Sequence, residues 1–255
     1  MNLQLIAYYT LVRKEISRIF RIWIQTLFPP IITSTLYFII FGRIIGSRIG
    51  MTHGVSYIDY IAPGIIMMQM IMAAYGNATS TVFGAKFARH IEEILVSPMS
   101  YHTIILAYTS AAILRGLIVG LGVTIIVEFF THLAIKHILL MLFVAVMTTA
   151  LFSLLGFING IYARKFDDIS FIPSFVLTPL TYLGGVFYSI SALPWFWQKI
   201  SLFNPIVYTI NCFRFSILNI SDVSISSALT AIMLFTAVLY LICFMLLKKG
   251  IGTRN

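Results

Sequence analysis

The chain has 255 residues, of which 60% are hydrophobic and only 10% are charged. A soluble domain carries about 25% charged residues, so this composition excludes a soluble globular protein. The high apolar content excludes a disordered chain, and two cysteines, Cys212 and Cys243, are too few for a disulfide scaffold. What remains is a polytopic membrane protein. Its formal net charge of +9 comes from few charged residues, which we expect in the loops and not on a surface for nucleic acid.

Membrane crossings are predicted from long stretches that lack Asp, Glu, Lys and Arg. A membrane helix needs about 20 mostly apolar residues, because each residue adds about 1.5 Å to a path through about 30 Å of hydrocarbon. We therefore expect an all-α membrane protein with six transmembrane helices, which form a single domain over residues 1–255. The crossings are expected at residues 22–42, 60–85, 94–127, 137–163, 169–188 and 223–247.

Residues 1–21, ahead of the first crossing, have the pattern of an amphipathic helix. At about 100° per residue, Lys14, Arg18 and Arg21 share one side, while the opposite side is apolar and includes Ile19. Such a helix lies in the interface between membrane and cytoplasm. The alternative is a positively charged flank that only orients the first crossing. Because cytoplasmic loops carry the excess of Lys and Arg, we expect both chain termini in the cytoplasm.

Residues 83–100 form a cytoplasmic segment between the second and third crossings. Their pattern predicts a short helix from about Arg89 to Val96 that stops before Pro98. Two adjacent acids, in a chain with only eight Asp and Glu residues, indicate a contact for a partner, whereas a solvated loop is the alternative. The candidate contact residues are Arg89, Glu92, Glu93 and Leu95.

Arg115 is a charge placed well inside a predicted crossing. An ionised side chain is costly in hydrocarbon unless it snorkels, pairs or lines a wet cavity, so an intramembrane charge suggests a function. The equally weighted alternative is an arginine that reaches the inner headgroups or bonds the carbonyl groups of a broken neighbouring helix.

Residues 189–219, between the fifth and sixth crossings, are apolar but too broken for a further span. Proline removes a backbone donor and disfavours helix at the residue before it. We therefore expect an outer re-entrant hairpin, with aromatic side chains at the membrane boundary. The residues that shape the hairpin are Gly184, Gly185, Pro194, Pro205 and Arg214.

Motifs for catalysis are not found in the sequence: it has no G-x-x-x-x-G-K-[ST] loop, no nucleophile elbow and no metal-ligand spacing. The pair Asp167 and Asp168 could hold Mg²⁺ in a membrane-embedded transferase, but that chemistry takes more carboxylates. The simpler interpretation is that the two acids cap the next helix. We expect no catalytic, cofactor or metal site, although a metal-dependent transferase and an ion-driven transporter remain alternatives.

Several runs of residues resemble the permeases of ABC-2 type transporters. Residues 92–98 are similar to the coupling-helix region of that family. Residues 179–188, then Leu193-Pro194 and residues 203–208, are similar to its fifth span and outer hairpin. The order and spacing of these runs extend the resemblance over nearly the whole chain.

The resemblance implies a half-transporter in a bacterial inner membrane. Family permeases have six spans, work as dimers with a separate cytoplasmic P-loop ATPase, and export polysaccharides, lipids or drugs by alternating access. ATP and Mg²⁺ would bind to the ATPase, so the chain itself would be neither an enzyme nor a cofactor protein. The helix at 89–96 would enter a cleft of the ATPase, with Glu92 and Glu93 as polar contacts, and membrane lipids would surround the spans.

Overall fold

The computed structural model describes residues 3–131 and 133–250. The chain ends, and with them the predicted cytoplasmic position of both termini, lie outside the described residues. Regular structure is almost all helical, and one antiparallel hairpin of two-residue strands joins the second helix to the third. In chain order the elements are α1 (Leu3–Arg21), α2 (Trp23–Ile49), β1 (Met51–Thr52), β2 (Val55–Ser56), α3 (Tyr57–Phe87), α4 (His90–Val96), α5 (Tyr101–Glu128), α6 (Ile138–Tyr162), α7 (166–183), α8 (Trp195–Ser201), α9 (Pro205–Leu218) and α10 (Ile225–Lys249).

In the described part of the chain, five helices are long and apolar enough to cross a membrane, which confirms an all-α membrane protein. They are α2, α3, α5, α6 and α10. Helix α7 runs through three consecutive segments, Phe166–Ile172, a π-helical Pro173–Leu177 and Thr178–Leu183. It is less apolar than the five long helices because its first turn holds Asp167 and Asp168.

The third crossing begins at Tyr101, seven residues after the predicted start at residue 94. Proline cannot continue a helix, so Pro98 ends α4 and separates it from α5. The hydroxyl oxygen of Ser100 then caps α5, because it accepts a hydrogen bond from the amide of Thr103 at 3.1 Å. The expected short helix is therefore found as α4, and residues 97–100 form its exit turn.

Helix α3 lies at the centre of the bundle, since 78% of its most apolar stretch is buried, against 17% for α2 and for α10. It packs mainly on α6 and α5. Gly156 and Gly160 on α6 are one turn apart and permit the close approach. A Cβ atom on Gly156 would lie 2.4 Å from the carbonyl oxygen of Tyr75 on α3. Small residues at this spacing drive helix association in lipid, where packing replaces the hydrophobic effect.

We expect Gly156→Ala to destabilise the protein by about 1–3 kcal/mol, because the added methyl group overlaps the backbone of α3. The matched control is Gly76→Ala on α3, where nothing lies within 4 Å of the new Cβ atom and alanine favours the helix. Thermal unfolding in detergent compares the two variants. If the Gly156→Ala protein has the same melting temperature as the wild type, α3 and α6 are not in this contact.

Candidate functional site

Helix α4 is fixed at the end of the bundle where α3 finishes. Arg89 adopts a left-handed conformation, with φ 59°, and reverses the chain between α3 and α4. The ammonium group of Lys86 donates to the carbonyl oxygens of Ile161 at 2.7 Å and Ala163 at 3.0 Å. These two bonds hold the end of α3 against the end of α6, so α4 starts from a braced position.

The two faces of α4 differ in burial as the sequence predicts. Ile91 is 4% exposed and enters an apolar cluster that it shares with α1, α3, α5, α6 and α10. Leu95 is half-buried at the edge of this cluster. Arg89, Glu92 and Glu93 are exposed on the outer side. The structure thus places Glu92, Glu93 and Leu95 on one short helix and Arg89 at the turn that starts it, with Ile91 as the buried anchor and Leu95 at its edge beneath an exposed charged surface.

Helix α1 is attached to the junction between α4 and α5. The side chain of Gln4 donates to the carbonyl oxygen of Pro98 at 2.7 Å. Its amide oxygen accepts bonds from the Ser100 amide at 2.9 Å and the Thr103 hydroxyl group at 2.8 Å. Leu11 of α1 enters the same apolar cluster that anchors α4. A displacement of α4 therefore acts on α1 through direct contacts.

A second attachment of α1 is a polar cluster that we call the clasp, formed by Glu15, Arg18, Asn77, Thr81 and Arg115. Arg18 donates to the carboxylate of Glu15 at 3.0 Å and to the side-chain oxygens of Asn77, at 3.1 Å, and Thr81. Arg115 of α5 donates to the same Asn77 oxygen at 3.3 Å. Two guanidinium groups share one amide oxygen, and Glu15 is the one anion of the clasp.

The contacts of the clasp show that α1 is rotated relative to the orientation predicted from the sequence. Arg18 points into the bundle and not outward with Lys14 and Arg21, and Ile19 is 2% exposed instead of facing lipid. The cause is Glu15, which is 3% exposed, since a buried carboxylate is stable only with a cationic partner. Arg115 donates to the side chain of Asn77 on the neighbouring helix α3. The sequence predicted that this charge would need a partner but did not identify Asn77 as that partner.

Sequence reasoning missed Glu15 and Asn77, although each has a signal. Glu15 is the first acid of the chain, and the next is Asp59, so an isolated acid interrupts a basic helix. Asn77 is an amide inside the second predicted crossing, where a polar side chain needs a partner.

At the opposite end of α3, Arg214 of α9 is completely buried. It donates from Nε to the carbonyl oxygen of Tyr60 at 3.2 Å and from Nη2 to that of Gly185 at 2.6 Å. Its guanidinium carbon lies 4.1 Å from the centroid of the Tyr60 ring. Sequence analysis placed Arg214 in an outer segment, whereas the structure uses it to join α9, α3 and the turn after α7.

The other hairpin residues shape the chain around Arg214. Helix α7 ends at Gly184, and Gly185 has a positive φ of 78° that suits glycine. A Cβ atom on Gly184 would lie 2.7 Å from Cγ2 of Ile206, so the turn packs directly on α9. Pro194 immediately precedes α8, and Pro205 is the first residue of α9. Of the two helices, α9 packs on α3, α6 and α10, whereas α8 exposes most of its apolar side chains.

Asp168 acts as a helix cap at the start of α7. Its carboxylate accepts hydrogen bonds from the backbone amides of Arg164 at 2.7 Å and Lys165 at 3.0 Å. These two donors hold the pKa of Asp168 below its ordinary value. Within residues 3–131 and 133–250, no group of three or more His, Cys, Asp or Glu side chains could hold a metal ion. The two hydrogen bonds of Asp168 are those of the capping interpretation.

The cap at Asp168 predicts a pH-dependent contribution to stability. Because the folded protein lowers the pKa of this group, the contribution is present above the ordinary value of 3.8 and is lost as the pH falls through the folded value. We expect Asp168→Asn to lower the melting temperature at neutral pH. The difference from the wild type should shrink on acidification below 3.8, and a difference independent of pH would contradict the ionised cap.

The bundle of long apolar helices is that of a membrane protein, and the family is identified by comparison. The sequence profile of the ABC-2 type transporter family matches residues 6–218, and the chain belongs to that family. It is accordingly a membrane-spanning permease subunit of a transporter. Membership in this family implies a partner subunit that binds ATP.

Individual relatives agree with the family. The chain is 51% identical over 255 residues to the inner membrane transport permease YadH of Escherichia coli (strain K12), and the match covers 100% of both chains. It is 24% identical over 215 residues to nodulation protein J of Rhizobium leguminosarum bv. viciae, covering 84% of this chain and 83% of the relative. Identity to nodulation protein J of Sinorhizobium fredii (strain NBRC 101917 / NGR234) is 23% over 206 residues, with coverage of 80% and 79%.

Proposed function

We propose that the chain is the permease half of an ATP-driven exporter in a bacterial inner membrane. It works as a homodimer with a separate cytoplasmic ATPase, which binds the ATP and Mg²⁺ that the permease itself does not bind. The 51% identical relative is an inner membrane transport permease, which supports this location. The proposed substrate is a lipid-like, glycan or drug-like molecule.

In this proposal α7 is the fifth of six crossings, α1 lies along the cytoplasmic interface, and α8 with α9 forms the outer re-entrant hairpin. The distribution of cations supports the orientation. The end of α10 shares an apolar cluster with α4 and carries Lys248 and Lys249, and exposed Lys14 on α1 lines a cleft with His90 of α4. Cytoplasmic ends of membrane proteins carry such an excess of positive charge.

The observation that carries the proposal is the exposed charged surface of α4. A seven-residue helix is too short to be stable alone, so α4 depends on Ile91 and its neighbours for its position. Nothing in its own packing requires Glu92 and Glu93, whose side chains are exposed. A braced short helix that displays charge beyond the membrane is suited to bind a soluble partner, and family membership names that partner as an ATP-binding subunit.

The proposed mechanism is alternating access. ATP binding draws two ATPase subunits together and displaces α4 with them. Gln4 and the apolar cluster pass the movement to α1, and the clasp passes it to α3 and α5. The path between two permease copies then opens outward beneath the hairpin held by Arg214.

The first test is affinity purification of the tagged permease from native membranes in mild detergent. We expect a P-loop ATPase in equal amount, identified by mass spectrometry. A permease that purifies without an ATPase even after cross-linking would contradict the proposal. Activity that needs a divalent metal but no ATP would instead favour the transferase, with Asp167 and Asp168 at its metal.

A further inference from the structure

A cleft between α1 and α3 has the chemistry of an anion site. It has a volume of about 170 Å³ and is lined by Lys14 and Arg18 on one side and by Ser80, Thr81 and Gly84 on the other. A Cβ atom added at Gly84 would meet nothing within 4 Å, so this position faces open space. The cleft therefore has room for a small polar group between a cationic wall and a hydroxyl-bearing wall.

The charge of the cleft is unbalanced. Arg18 and Arg115 both bond the side-chain oxygen of Asn77, while Glu15, the one acid that lines the cleft, is already bonded to Arg18 at 3.0 Å. Lys14 is exposed and forms no ion pair within residues 3–131 and 133–250. Two cations, Lys14 and Arg18, line the cleft, and Arg115 lies behind them. The carboxylate of Glu15 offsets only one of these three positive charges. An anion would complete this arrangement.

We propose that this cleft binds a phosphate group, with Lys14 and Arg18 as its cations. An anionic phospholipid of the cytoplasmic leaflet is the favoured source, because basic pockets beside membrane helices at that surface suit lipid headgroups. Helix α1 also exposes Tyr9 and Phe20, which an interfacial helix buries among lipid chains. The inference rests on the proposed function only for the orientation that places α1 at the cytoplasmic surface of the membrane.

For the test, the purified protein is placed in nanodiscs of phosphatidylcholine that contain phosphatidylglycerol and is then extracted. Native mass spectrometry measures how much phosphatidylglycerol the extracted protein retains. Gly84→Leu places a side chain in the cleft from a position where the Cβ atom is unobstructed, and we expect it to remove the retained lipid. Lys14→Gln should weaken retention about fivefold, the effect of about 1 kcal/mol for one cation at a membrane surface. Gly76→Leu is the matched control, since that glycine of α3 is equally unobstructed but lies outside the cleft.

Inorganic phosphate distinguishes the two sources of the phosphate group. If it raises the melting temperature of the wild type and of Gly76→Leu but not of Gly84→Leu, the site takes soluble phosphate compounds. Retention of phosphatidylglycerol with no response to inorganic phosphate assigns the site to a lipid headgroup. Equal retention and equal melting behaviour in Gly84→Leu, Lys14→Gln and the wild type would overturn the inference.

The same preparations separate this inference from the proposed function. A permease that carries its ATPase but shows no phosphate binding dependent on the cleft would overturn the inference alone. Binding that depends on the cleft in a protein without an ATPase would support the site and contradict the proposed function.

Discussion

Replacing both Glu92 and Glu93 by Ala is expected to separate the permease from its ATPase while the permease still folds and inserts. Both side chains are exposed, and the ion pair that Glu93 forms lies within α4 itself, 3.8 Å from Nδ1 of His90. An exposed pair of this kind contributes at most about 1 kcal/mol, and alanine favours the helix. Stability should therefore change little.

The effect on the partner should be large. A carboxylate that faces a cation in an interface costs about 2 kcal/mol or more when it is removed, since the cation is left unpaired. Two such losses correspond to about a thousandfold weaker binding of the ATPase. We therefore expect the double variant to purify without the ATPase. In reconstituted nanodiscs, the double variant should also no longer change the rate of ATP hydrolysis.

Asp167→Ala is the matched control for this double variant. Asp167 is another exposed acid, in the first turn of α7, and its loss should leave ATPase binding unchanged. A double variant that binds and couples to the ATPase as the wild type does would show that α4 is not the contact. An Asp167→Ala protein that loses a metal-dependent activity would support the transferase.

The position of α4 could be predicted from the sequence because its determinants are local. Pro98 ends the helix, and the residues before it alternate between apolar and charged at helical spacing. The burial of Ile91 and the exposure of Glu92 and Glu93 follow from that spacing once the helix packs on a bundle.

The inner side of α1 could not be predicted in the same way. A helical wheel separates polar from apolar sides, but a helix at a membrane surface meets lipid, water and protein at once. Glu15 and Asn77 decide the outcome, because the buried acid holds Arg18 and the amide oxygen accepts from both Arg18 and Arg115. Asn77 and Arg115 are distant from α1 in sequence, so a pattern along α1 alone does not contain them.

The burial of Arg214, at the end of the bundle where α3 begins, could not be predicted from the sequence either. Its acceptors are the carbonyl groups of Tyr60, 154 positions away, and Gly185, 29 positions away. A count of charges in loops treats Arg214 as one more outer cation. The fold instead makes it the residue that joins three elements, and its substitution should be among the most damaging in the chain.

We expect Arg214→Leu to destabilise the protein by about 3 kcal/mol or more. The substitution removes two charged hydrogen bonds and leaves the buried carbonyl oxygens of Tyr60 and Gly185 without these donors, at about 1–3 kcal/mol each. It also removes a guanidinium group that stacks 4.1 Å from the Tyr60 ring. For a protein of this size, about 3 kcal/mol lowers the melting temperature by roughly 6–12 °C.

Thermal unfolding in detergent, with the same measurement on Arg48→Leu, tests this expectation. Arg48 is an exposed arginine near the same end of the bundle and should tolerate the change within about 0.5 kcal/mol. Arg214→Lys keeps the charge but has one nitrogen for two carbonyl groups, so it should fall between the wild type and Arg214→Leu. If Arg214→Leu melts no lower than Arg48→Leu, the turn after α7 is not held by this guanidinium group. In that case the close packing of Gly184 on α9 would be the contact that positions it.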